Sequence, residues 1–111
     1  MDMKTLPICF VLAAAAAGAA EPVRELTAAD WDRPRSGDFV TGIPVLRDTM
    51  QAVDRPAGRH LRIRHPGGEQ GLLWAEELRG WLVALGLGSS RIHLVPGAGR
   101  PDVLELVVET P

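Results

Sequence analysis

The chain holds three imidazoles, His60, His65 and His93, the groups best suited to ligate a metal or move a proton near neutral pH. His60 and His65 are five residues apart, so a strand carrying both points them to opposite faces. They do not share a metal ion in that arrangement. His93 meets His60 only if a neighbouring strand brings it to the same solvent face. Two imidazoles alone are a weak ligand set. The expectation is surface histidines beside Arg62 and Arg64, with no metal and no cofactor. The serines, Ser36, Ser89 and Ser90, do not sit on an elbow between glycines. Glu76 and Glu77 fall on a helix face where solvation is the default. With no nucleophile–base pair, an enzyme is not expected.

Two other features point to binding. The run Pro66-Gly67-Gly68-Glu69-Gln70-Gly71 leads into a helix, whose first N–H groups are free for an anion. It lacks the Lys-Ser/Thr of a phosphate-binding loop and the glycine spacing of a dinucleotide loop. Glu69 also suits the positive end of a helix dipole, so a plain structural turn fits as well. Trp74 and Trp81 are seven residues apart, two helical turns, and share a face. That face packs into a core or anchors a partner, since tryptophan is enriched at interface hot spots. Trp31 with Arg33 and Arg35 is a weaker docking candidate. The candidate binding residues are therefore Gly67, Gly68, Glu69, Arg62, Arg64, Trp74 and Trp81.

These residues need a scaffold, and hydrophobic spacing supplies one. Ile43, Leu46, Met50 and Val53 recur at helical intervals, predicting a helix over 43–54 that Pro44 opens and Pro56 and Gly58 end. Residues 60–65 alternate strictly and read as a half-buried strand, with Leu61 and Ile63 inward. A second helix is expected over 70–85, with Leu78, Leu82 and Leu85 in its apolar row, Glu76 placed to pair with Arg79, and Gly86 as its left-handed cap. Strands follow over 91–95 and 103–109. The strand–helix–strand unit implies a right-handed crossover between parallel strands, and the last strand returns antiparallel. The predicted fold is an α/β sandwich of the α+β type, with two helices on one face of a three- to four-stranded mixed sheet. Residues 21–37 read as an N-terminal arm with a Thr27-capped turn, and Phe39 and Val40 as a short edge strand. The domain proper is expected over 38–111.

The chain has 111 residues, enough for one small domain. Its net charge of −2 excludes a nucleic-acid binder held by a strong basic field. Residues 1–20 carry Lys4, a short apolar run and Ala17-Gly18-Ala19, the pattern of a cleaved secretory signal peptide. The run is short for a membrane span. Cleavage removes Cys9, leaving no thiol and no membrane span. A bacterial, periplasmic protein is expected.

From Phe39 to Glu109 the order of elements resembles the OmpA-like C-terminal domain, a periplasmic peptidoglycan-binding module. The run Leu61-Arg62-Ile63-Arg64-His65 is similar to that family's second strand, and Trp74 to Gly86 is similar to its second helix. Where the family follows its His with Thr-Asp, this chain has Pro66-Gly67. Where the family has a ligand-binding Arg-Ala step, this chain has Trp74-Ala75. The resemblance thus implies the fold, with both charged ligand contacts replaced. It implies an interaction or scaffold module of the cell envelope that binds another envelope protein. The alternative is a peptidoglycan ligand module that uses Arg62, Arg64 or Arg79 in a changed site.

Overall fold

The computed structural model describes residues 22–55 and 58–110. The signal-like segment 1–20, Cys9 and Pro56 lie outside them. Four strands form one mixed sheet: β1 (Arg24–Thr27), β2 (His60–His65), β3 (Ile92–Pro96) and β4 (Val103–Glu109). Their order across the sheet is β1-β4-β2-β3. β2 and β3 run parallel, joined by the long helix α4 (Gly68–Ala84), while β4 lies antiparallel between β1 and β2. Among the described residues three further helices precede β2: α1 (Ala28–Trp31), α2 (Gly37–Gly42) and α3 (Pro44–Asp54). The result is an α+β sandwich with α3 packed on β1 and β4 and α4 packed on β2 and β3.

The pleat divides the sheet residues between two faces. Leu26, Leu61, Ile63, Leu104, Leu106 and Val108 point under the helices and are fully or almost fully buried. They meet Leu46 and Val53 of α3 and Ala75, Leu78 and Leu82 of α4. Val103 alternates to the other face and stays outside this cluster, although it too is buried.

Four expectations change. The segment expected as an arm supplies strand β1, which pairs Leu26 with Leu104 and so extends the core by one strand. Its single inward leucine gives too short an alternation to read from sequence. Phe39 and Val40 are helical rather than an edge strand, because the Ser36 hydroxyl accepts the Phe39 N–H and caps α2. The Thr27 hydroxyl caps α1 in the same way. The second helix begins earlier than expected, at Gly68, and ends at Ala84. Leu85 is then its C-cap and is exposed, so it leaves the apolar row, while Gly86 takes a φ of 115°.

Arg91, just before β3, ties the starts of both parallel strands to α3. Its Nε donates to Arg59 O at 2.9 Å and its Nη2 to Val53 O at 3.0 Å. The second bond satisfies one of the carbonyls that a helix C-terminus leaves open.

Candidate functional site

At the C-terminal end of β2 the chain turns through buried Pro66 into the first turn of α4. That turn is pressed on the strand end. A Cβ at Gly71 would lie 2.0 Å from Pro66 O, so only glycine fits there. His65 Nδ1 lies 2.9 Å from the same carbonyl, and a carbonyl only accepts, so the ring carries its proton on Nδ1. His65 is buried on the helix side of the sheet, which corrects the expectation of three surface histidines.

Between this turn and α1 lies a groove of about 630 Å³. Trp31 and Arg35 form one wall, Gly71, Leu73, Trp74 and Glu77 of α4 the other, and Pro101 closes one end. One carboxylate joins the walls. Glu77 Oε1 accepts the Trp31 indole N–H at 3.1 Å, and Oε2 accepts Arg35 Nε at 2.9 Å. Arg35 also donates to the Trp31 carbonyl and lies 4.9 Å over its ring. Glu77 lies on a solvated helix face, as expected, and also braces the two walls. Its partners are more than 40 residues away in sequence, a contact that no local pattern reveals.

Trp74 is the open valence of this site. Its ring is half-buried against the core, yet its indole nitrogen is fully buried and has no hydrogen-bond partner. An unmet donor of this kind costs about 1–3 kcal/mol. A ligand acceptor would recover that loss only if the ring turns, since the nitrogen itself is closed to solvent. Leu73, more than half exposed, adds an apolar contact on the same wall. One turn further along α4, Gly80 leaves a shallow dip lined by Glu77, Trp81 and Ala84. Trp74 and Trp81 therefore stand on either side of Glu77 along one strip.

The seven candidates divide between two surfaces. Gly67 and Trp74 line the groove, Gly68 and Glu69 are exposed in the first turn of α4 without lining it, and Trp81 continues the strip. Gly68 has a φ of 86°, a conformation suited to glycine. Arg62 and Arg64 lie on the opposite, uncovered face of the sheet. Arg62 pairs with Glu109 at 2.8 Å, and Arg64 Nε lies 2.9 Å from Glu105 Oε1 in an ion pair without hydrogen-bond alignment. Neither arginine contributes to the groove. On that same face His60 Nδ1 and His93 Nε2 meet at 2.7 Å across β2 and β3. Among the described residues no group of three or more His, Cys, Asp or Glu side chains is placed to hold a metal. No helix among them is long and apolar enough to cross a membrane. No protein-family model, curated protein or solved structure matches the chain.

Proposed function

We propose that the chain is a non-catalytic, exported interaction module of the bacterial cell envelope, and that its α1–α4 groove receives an extended segment of another envelope protein. The buried, unpartnered indole N–H of Trp74 carries this reading. A polypeptide offers a backbone carbonyl for that donor once the Trp74 ring turns outward, and an apolar side chain for exposed Leu73. Glu77 and Arg35 neutralise each other, so a strongly charged ligand gains little in the groove. Export rests on the composition of residues 1–20.

A photo-reactive side chain at Leu73, in cells that make the protein natively, tests the proposal. A discrete protein adduct is expected from Leu73 and none from Val107 on the uncovered sheet face. Trp74→Phe keeps the ring and removes the donor, and it should weaken the adduct with the fold intact by circular dichroism. Equal adducts from both positions, or an adduct indifferent to Trp74→Phe, would overturn the reading. Amide NMR shifts on adding soluble muropeptide, clustered at residues 66–71, would favour the peptidoglycan alternative instead.

A further inference from the structure

The uncovered face of the sheet holds a second constellation, unrelated to the groove. His60 opens β2 and His93 is the second residue of β3. In the parallel register Leu61 pairs with Ile92 and Arg62 with His93, so both histidines project from the same face. The strand starts that carry them are fixed by Arg91, which bonds the carbonyl of Arg59. The backbone thus places the two histidines side by side on one face, while the exposed His93 ring keeps its freedom to turn.

Their ring nitrogens face each other directly. His60 Nδ1 and His93 Nε2 are 2.7 Å apart, with ring centroids 5.0 Å apart and planes within 13°. That combination sets the rings edge to edge, nearly coplanar, with one proton between two nitrogen lone pairs. A metal ion bound to both would sit at about 2.0–2.1 Å from each nitrogen. For a tetrahedral ion the nitrogens must part to about 3.3–3.4 Å, and each lone pair must turn by about 35° from the line between them. His60 is half-buried and His93 exposed, so both rings can make that turn.

The surrounding charge permits it. The nearest fixed cation on this face is Arg62, and Glu109 draws its guanidinium toward β4, away from β3, through contacts at 3.0 Å and 2.8 Å. Glu109 stands opposite His60 in the antiparallel register and leaves the pair's surroundings close to neutral.

We propose that His60 and His93 form a two-imidazole site for a late first-row divalent ion, Zn(II) or Cu(II). Imidazole selects these ions over calcium and magnesium, which require oxygen ligands. The protein supplies two ligands, and water or an outside donor completes the shell. Each imidazole ligates only as the neutral ring, with its N–H on the other nitrogen, so binding weakens as pH falls.

The test is calorimetry with Zn(II) and electron paramagnetic resonance with Cu(II), on the full chain in a Cys9→Ser background. One ion per chain is expected, with two nitrogen ligands in the Cu(II) spectrum. His60→Ala and His93→Ala should each lower affinity at least tenfold and leave one nitrogen. His93→Gln, which keeps size and polarity, should do the same, with circular dichroism showing the fold retained. The proposal fails if the double variant binds either ion as tightly as the parent. It fails equally if neither ion binds at millimolar concentration.

Discussion

On one face of the sheet Leu26, Leu61, Ile63, Leu104, Leu106 and Val108 meet two helices, whereas on the other Arg62, Arg64, Glu105 and Glu109 meet one another and water. The same strands make both faces, with alternate residues assigned to each. Burial of apolar area, at roughly 25 cal/mol per Å², belongs almost wholly to the first face. The exposed Arg62–Glu109 pair on the second contributes about 0–1 kcal/mol. The covered face therefore holds the fold, and the uncovered one is free to carry histidines and charges without loss of stability. The groove lies between α1 and the first turns of α4, beside the Pro66 turn.

The widest separation between the faces should appear at neighbouring residues of β4. Leu106 is fully buried under the helices, and Leu106→Ala should cost about 2–5 kcal/mol by denaturant unfolding. Val107, the next residue, points to the other face and is only half-buried. Val107→Ala should cost about 1 kcal/mol or less. Equal losses at the two positions would mean that the uncovered face is covered in solution.

A second contrast lies within α4. At Gly71 a Cβ strikes the Pro66 carbonyl, so Gly71→Ala should destabilise by about 1–3 kcal/mol and disturb the groove turn. At Gly80 a Cβ meets nothing within 4 Å. Gly80→Ala should stabilise by about 0.5–1 kcal/mol, because glycine in a helix interior loses more backbone entropy on folding. Opposite signs from the same substitution on one helix would mark the first turn as the strained element and the Trp81 end as open surface. Thermal melts of the two variants decide it.

The covered face was legible because its residues repeat. Leu61 and Ile63, and Leu104, Leu106 and Val108, alternate at the strand period, while Leu78 and Leu82 keep the helical one. Strand β1 was not legible, since Leu26 alone faces inward and the strand exists only by pairing with β4. The Ser36 cap was present as Ser36-Gly37-Asp38-Phe39, but the apolar Phe39-Val40 pair suggested a strand more strongly. Of the site, Gly67 and Trp74 were visible as a turn and a helical stripe. Glu77 was not, because its function depends on Trp31 and Arg35, brought close only by the tertiary fold. The His60–His93 contact was visible as a possibility of strand neighbours, and its 2.7 Å geometry came from the register.

The smallest expected effect is the most exacting test of the comparison. Arg62 contacts Glu109 in two places, yet the side chains are 46% and 32% exposed, so water and salt screen the pair. A double-mutant cycle with Arg62→Gln and Glu109→Gln should give a coupling of about 0.2–1 kcal/mol, shrinking as salt is raised. A coupling well above that range, insensitive to salt, would show a desolvated pair and hence something lying over the uncovered face. The Arg62→Gln variant carries a further consequence for the histidine pair. Loss of the arginine leaves the Glu109 carboxylate uncompensated beside His60, and negative charge there should tighten Zn(II) rather than weaken it. Weaker Zn(II) binding in Arg62→Gln would mean that the guanidinium positions the histidines, and the uncovered face would then be an organised site rather than a solvated one.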